Sequence, residues 1–332
     1  MKVAVFSAKR YDRELLDAAN EKHGHDLVYF ESLLELDTVS LARGFPAVCV
    51  FVNDRVDARV ITALADAGLR IIATRSTGFN QIDVKAAAAR GIPVVRVTDY
   101  SPHSVAEFAV GLLLALNRKI HKAYNRTRDG NFELEGLMGF DLYGKCVGVI
   151  GTGKIGRVFS HIMRGFGCQV LGYDKHPHRE FEQLGGRYVE PAEIGERADV
   201  ISLHVPLTPE THHIVNARTL AAIKRGALLV NTSRGGLVDT EAAIEALKSG
   251  RLGGLAIDVY EQEAELFFQD LSSEIIADDV IQRLVSFPNV IVTGHQAFFT
   301  REAVGTISAT TLESISDFEA GRPLKNEAKP SG

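Results

Sequence analysis

Residues 146–174 read CVGVIGTGKIGRVFSHIMRGFGCQVLGYD, and their order decides the fold. Val147 to Ile150 is an apolar, β-branched run short enough to be a buried strand. Gly151-Thr152-Gly153-Lys154-Ile155-Gly156 follows at once, and a helical pattern follows that. Gly151 permits a tight turn, Gly153 lets a pyrophosphate reach the backbone, and Gly156 lets the helix lie close to the strand. The helix start, at Lys154 and Ile155, offers unpaired N–H groups and partial positive charge to phosphates. A second apolar run, Gln169 to Tyr173, ends in Asp174, an acid able to accept both hydroxyls of an adenosine ribose. Lys175 and His176 could attract a 2′-phosphate, but Asp174 opposes one by charge, so NAD is expected over NADP. The competing explanation is a glycine-rich turn in some other α/β protein. Two flanking strands and a closing acid at this spacing weigh against it.

Outward from this stretch the chain keeps one rhythm. Strands are predicted at Lys2–Ser7, Asp26–Phe30, Ala47–Val52, Arg70–Thr74 and Pro93–Val97, with helices between them such as Arg13–Glu21, Asp57–Ala67 and Val84–Arg90. After Asp174 the strands resume at Asp199–Val205, Gly226–Asn231, Gly253–Val259 and Asn289–Thr293. Such alternation predicts parallel sheets with helices on both faces. Ser101 and Pro102 open a helix that is apolar on most faces, and such a helix is buried inside the subunit or against a partner. It reads as the bridge between two domains and as a subunit contact, so a homo-oligomer, dimer or tetramer, is expected. Residues 121–145 are read as wrapping over a neighbour. The helical tail, Arg301–Glu319, is long enough to fold back onto the first domain. The domains are then residues 1–100 plus 299–332, and residues 101–298, with a hinge at the two crossings.

Composition excludes several classes. At 332 residues, 45% hydrophobic and 24% charged, the chain reads as an ordinary globular protein of two domains. A net charge of -5 gives no footprint for nucleic acid or an anionic membrane. No apolar run approaches the ~20 residues of a membrane span. The N-terminus reads as a first strand, with no signal peptide. Cys49, Cys146 and Cys168 sit in apolar segments without disulfide or zinc spacing, as expected of buried thiols in the cytoplasm.

Six predicted strand ends in residues 146–295 carry glycine or polar groups: the glycine loop, Asp174, His204-Val205-Pro206, Thr232-Ser233-Arg234, Asp258 to Glu263, and His295. In one parallel sheet all six open on the same edge, where ligands bind. Hydride transfer between a nicotinamide and a 2-oxo acid needs a cation for the carboxylate and a proton donor for the carbonyl oxygen. The donor must be protonated for reduction and neutral for oxidation. Arg234 can supply a bidentate fork, His295 the proton, and Glu263 a carboxylate that holds His295 and favours its imidazolium form. The competing structural readings are a turn cap for Arg234, a satisfied turn residue for His295, and a solvated acidic face for Glu263 within EQEAE. His204 is expected to shape the cofactor wall. His212-His213, His176/His178 and His23/His25 read as surface pairs with no third ligand, and no metal is expected.

With these residues in view, the sequence resembles the D-2-hydroxyacid dehydrogenases, most closely the NAD-dependent D-lactate branch of fermentative bacteria. The segments that carry the resemblance are RSTGFNQID (75–83), GKCVGVIGTGKIG (144–156), HVPLTPET (204–211), NTSRGGLVD (231–239), DVYEQEAELFF (258–268) and TGHQAFFT (293–300). The resemblance implies two doubly wound domains, a flavodoxin-like substrate domain and a Rossmann NAD-binding domain, with the active site in the cleft. It implies Arg234 on the substrate carboxylate, His295 as acid/base and Glu263 as its partner. It also implies backbone contacts from Thr77 and Gly78, a pocket shaped by Phe51, Tyr100 and Phe298, and Thr232 and Asp258 along the nicotinamide side. Reversible reduction of pyruvate to D-lactate is the expected activity. A larger 2-oxo acid is the alternative substrate. A dinucleotide-sensing binding module is the alternative class, against which Arg234, Glu263 and His295 argue together.

Overall fold

In the computed structural model, which describes residues 1–263 and 266–329, the chain forms two units. One is Met1–Ser101 with the segment from Phe299 onward, and the other is Pro102–Phe298. Ala264 and Glu265, inside the quoted 258–268 segment, and the last three residues of the tail lie outside the described residues.

The first unit begins with β1 (Lys2–Val5), α1 (Arg10–Asn20), β2 (Asp26–Tyr29), β3 (Ala47–Val50), α2 (Ala58–Asp66), β4 (Ile71–Thr74), α3 (Val84–Ala89) and β5 (Val94–Val95). Its five strands lie in the order β2-β1-β3-β4-β5, all parallel. This is the flavodoxin-like doubly wound order. Asp57 caps α2 by accepting from the N–H groups of Arg59 and Val60, both at 2.9 Å, and Asp83 caps α3 through Ala86 N–H at 2.9 Å. β1 stops at Val5, two residues short of the predicted end, because Ser7 takes a left-handed backbone (φ 53°). Its hydroxyl donates to Asp54 at 2.7 Å. α1 starts earlier than predicted because Asp12 accepts from Lys9 N–H at 3.0 Å.

Arg75, just past β4, is 2% exposed. Its guanidinium donates to the carbonyls of Phe6 (3.1 Å) and Cys49 (3.4 Å), and its Nε lies 3.3 Å from Asp12 without hydrogen-bond alignment. One side chain therefore ties the ends of β1, β3 and β4 to the first helix.

The second unit contains α4 (Pro102–Arg118), α5 (Ile120–Arg128), β6 (Cys146–Ile150), α6 (Lys154–Gly165), β7 (Gln169–Tyr173), α7 (Arg179–Gln183), β8 (Arg187–Tyr188), α8 (Pro191–Arg197), β9 (Val200–Leu203), α9 (Ala217–Ala222), β10 (Ala227–Asn231), α10 (Thr240–Lys248), β11 (Leu252–Ile257), α11 (Asp279–Ser286) and β12 (Val290–Val292). The sheet order is β12-β11-β10-β9-β6-β7-β8, all parallel, which is the dinucleotide-binding arrangement with one strand added. β8, with two residues, escaped the sequence reading. The apolar α4 is buried within its own unit, where Ala106, Ala109, Leu113 and Leu116 pack with Val147 and Val149 of β6 and Phe159 and Met163 of α6.

The chain returns to the first unit as α12 (Arg301–Glu319), whose Leu312 and Ile315 pack on Val3, Val5, Ala47, Ile71 and Ala73. His25, read from the sequence as half of a surface pair, is instead 6% exposed. Its ring lies 2.9 Å from the Ser316 hydroxyl of α12 and 3.1 Å from the N-terminal amine. No helix among the described residues is long and apolar enough to cross a membrane.

Candidate active site

Because the strands of the second sheet are parallel, the carboxyl ends of β6, β7, β9, β10, β11 and β12 share one edge. The six strand ends singled out above belong to these six strands. At β6, Gly151 has φ 94°, and a Cβ there would sit 2.6 Å from the His204 carbonyl oxygen. A Cβ on Gly156 would sit 2.0 Å from the Gly151 carbonyl oxygen. Gly153, the N-cap of α6, has open space around it, with nothing within 4 Å of a built Cβ. Lys154 and Ile155 form the first turn of α6.

The three glycines thus have separable roles. Gly156→Ala should lower the melting temperature, since a backbone carbonyl cannot step aside and overpacking costs about 1–3 kcal/mol. Gly153→Ala, at φ -61° and unobstructed, should melt like wild type yet bind NADH about tenfold more weakly, roughly 1.4 kcal/mol. Unchanged NADH binding in Gly153→Ala would take the pyrophosphate away from this loop. Calorimetry and NADH fluorescence titration read the two effects.

Asp174 accepts from Thr152 N–H at 2.7 Å and His176 N–H at 2.9 Å. The Tyr188 hydroxyl lies 2.6 Å from the Thr152 hydroxyl and accepts from His178 N–H at 2.8 Å. Thr152, given no role in the sequence reading, and Tyr188, absent from it, therefore orient the acid at the end of β7. His204 follows β9, ahead of Val205 and Pro206, with Nε2 2.9 Å from the Ser202 hydroxyl and its ring 5.0 Å from that of Phe159. Burial pushes its pKa down to about 3, so it is neutral near pH 7. Its Nδ1 and the Thr232 hydroxyl are buried without hydrogen-bond partners among the described residues. Two orphaned polar atoms and an open glycine loop on one sheet edge fit a dinucleotide.

Arg234 follows β10 in a turn that Asn231 clamps from both sides. Asn231 Oδ1 accepts from Ser233 N–H at 3.0 Å, and its amide donates to the Arg234 carbonyl at 2.8 Å. A Cβ on the next residue, Gly235, would lie 2.0 Å from the Tyr260 carbonyl carbon. Glycine there lets the chain after β11 press against the arginine turn.

His295 follows β12. Its Nδ1 is 2.9 Å from Glu263 Oε1, and Glu263 Oε2 accepts from Tyr260 N–H at 3.0 Å. The pair is partly exposed, at 21% and 26%. Phe268, which sequence reasoning did not single out, lies 5.8 Å from the imidazole, ring to ring. His295 takes a left-handed backbone (φ 55°), unusual outside glycine. Asp258 sustains it. The Asp258 carbonyl accepts from His295 N–H at 2.8 Å. Its fully buried carboxylate accepts from Thr293 Oγ1 (2.5 Å), Gln296 N–H (2.9 Å) and Ala297 N–H (2.8 Å). Burial raises the pKa of Asp258, against the pull of these donors. Expected along the nicotinamide side, Asp258 spends its carboxylate on the turn that presents His295.

The remaining substrate residues from the sequence are divided between the units. Phe298 ends the second unit, and Phe51, Thr77, Gly78 and Tyr100 belong to the first. Phe51 is buried, its N–H donating to Asp54 at 2.6 Å. The Thr77 and Gly78 carbonyls accept from Arg96 (3.1 Å) and the Ser76 hydroxyl (2.6 Å). One expectation needs correction. The His212-His213 pair does acquire a third potential ligand, Glu261, supplied by the loop after β11.

A fold of this order, with a glycine-loop dinucleotide site and a histidine–carboxylate pair on one sheet edge, defines a nicotinamide-dependent dehydrogenase. Residues 110–297 match the family model of the D-isomer specific 2-hydroxyacid dehydrogenase NAD-binding domain. The chain is 52% identical over 319 residues to the 2-hydroxyacid dehydrogenase homolog 1 of Schizosaccharomyces pombe, covering 96% of each. It is 49% identical to the D-lactate dehydrogenase of Escherichia coli, covering 98% of this chain and 99% of that one. The solved structure of the pyruvate reductase of Chlamydomonas reinhardtii superposes with a TM-score of 0.95 at 42% identity, covering 98% of both chains. The chain belongs to the D-isomer specific 2-hydroxyacid dehydrogenase family, and its cofactor is NAD.

Proposed function

We propose that this chain is a D-lactate dehydrogenase that interconverts pyruvate and D-lactate, with Arg234, His295 and Glu263 as its working groups. The observation that carries this reading is the 2.9 Å contact between His295 Nδ1 and Glu263 at the sheet edge that also carries Arg234. A carboxylate beside Nδ1 assigns the Nδ1 proton to that hydrogen bond and leaves Nε2 to exchange a proton with the substrate oxygen. NAD, when bound, supplies the hydride in one direction and takes it up in the other. Arg234 holds the substrate carboxylate through its planar fork. His295 protonates the carbonyl oxygen as the carbon is reduced, and recovers that proton in the reverse reaction. Backbone groups of Thr77 and Gly78 contact the substrate, while Phe51, Tyr100 and Phe298 limit its side chain. Asp174 favours NAD over NADP by charge. Ile120 and Tyr124 on α5, and Phe132, Leu134, Met138 and Tyr143 between α5 and β6, are exposed apolar side chains, which supports a homo-oligomer. The three buried free thiols support a reducing, cytoplasmic setting.

The test is a panel of 2-oxo acids of increasing size, followed by loss of NADH absorbance, with D- and L-lactate tried in reverse. Pyruvate should give the highest kcat/KM, and only the D-isomer should be oxidised. A branched or aromatic 2-oxo acid that outperforms pyruvate would replace the substrate and leave the family intact.

A further inference from the structure

We propose a second, non-catalytic site on this chain, a zinc site formed by His212, His213 and Glu261. Each residue offers one ligand atom, and the three atoms lie within 4.8 Å of one another. Two imidazole nitrogens and one carboxylate oxygen are a zinc donor set, which leaves a fourth position for water. Glu261 is 48 residues from His213 in sequence, yet its Oε1 is 2.5 Å from His213 Nε2. Its other oxygen accepts from the Thr240 hydroxyl at 3.3 Å. The two imidazoles stack with centroids 3.9 Å apart.

The frame beneath these donors is built from three loops. His213 N–H donates to the Gly236 carbonyl at 2.8 Å, Val215 N–H to Leu237 at 3.0 Å, and Asp239 N–H to Val215 at 2.8 Å. The post-β9 loop is thus docked on the turn after Arg234. Gly235, with no side chain, lets the Tyr260–Glu261 backbone press against the same turn. His213 is held in a left-handed conformation (φ 50°), as His295 is, and each is paired with a glutamate from one short loop. Glu263 serves His295, and Glu261 serves His213.

Zinc bonds its nitrogen and oxygen ligands at about 2.0–2.2 Å, so tetrahedral donors sit closer together than the 4.8 Å limit found here. Tetrahedral donors at those bond lengths stand about 3.3–3.6 Å apart, so zinc replaces the hydrogen bond between His213 and Glu261 and spreads that 2.5 Å pair slightly, while the exposed ring of His212 turns in about its side-chain bonds. A bound ion would clip the loops after β9 and β11 together across the arginine turn.

The test is titration of chelator-treated, full-length protein with zinc, read by calorimetry and by X-ray absorption. Wild type should take up one ion at this site, with a light-atom shell containing imidazole. His213→Asn preserves the left-handed backbone, and Glu261→Gln preserves shape. Each removes a ligand and should weaken zinc binding by at least about tenfold to a hundredfold, the loss seen when only a residue supporting a ligand is removed. Zinc should raise the melting temperature of wild type and not of either variant, while both variants melt like wild type without metal. No saturable uptake by wild type, or unaltered zinc affinity in both variants, would overturn the site.

Discussion

Replacing His295 with Asn should lower kcat/KM for pyruvate by about a hundredfold to ten-thousandfold, the range for loss of a positioned acid–base group. The reverse reaction should fall in step, because one group serves both directions. Asn is chosen for the backbone. Position 295 sits at φ 55°, and asparagine accepts that region more readily than most side chains. The N–H of residue 295 can still donate to the Asp258 carbonyl, and the carboxylate can still hold Thr293, Gln296 and Ala297. The fold and NADH affinity should therefore survive, and the loss should appear in kcat. Steady-state kinetics in both directions, beside an NADH titration, read this out. A variant within a few-fold of wild type would return His295 to the role of a turn residue.

Arg234→Lys should cost about 2–4 kcal/mol in kcat/KM, as expected when a charged hydrogen bond to substrate is lost. Lysine keeps the charge and loses the planar fork. One guanidinium nitrogen of Arg234 is already committed, donating to the Ser233 carbonyl at 2.6 Å. The clamp by Asn231 acts on the backbone and does not depend on the side chain. The turn should therefore keep its shape in the variant, and the defect should concentrate on carboxylate-bearing substrates. Pyruvate kinetics equal to wild type would remove Arg234 from the substrate site.

What could be read in the sequence follows from what is local. The glycine loop is legible because each glycine answers a requirement met within a few residues: a left-handed turn at Gly151, a close approach at Gly156. The alternation of strands and helices is legible for the same reason, and it places six polar strand ends on one edge without knowledge of any contact. Events that depend on distant chain are not legible. His25 looks like a surface residue until Ser316, 291 residues away, closes over it. Glu261 and Glu263 are chemically alike in sequence. Only the packing after β11 sends one to His213 and the other to His295. The role of Asp258 turns on three donors that lie 35 to 39 residues further along the chain. The two-residue β8 at the sheet edge has too short a pattern to register.

Arg75 has a consequence for how the first unit assembles. Its guanidinium can be satisfied only after β1 has delivered the Phe6 carbonyl, β3 the Cys49 carbonyl and α1 the Asp12 carboxylate. These partners lie 69, 26 and 63 positions before it. A chain in which β4 has docked against β3 alone would carry a desolvated cation lacking part of its shell, and stripping a partner from a buried ion pair costs about 3–5 kcal/mol. Assemblies that lack one of these partners are penalised by that amount, and the penalty ends once β1, β3, β4 and α1 are together. The residue thus acts as a latch on cooperativity: it disfavours intermediates in which only some of these four elements have met, and favours their joint packing.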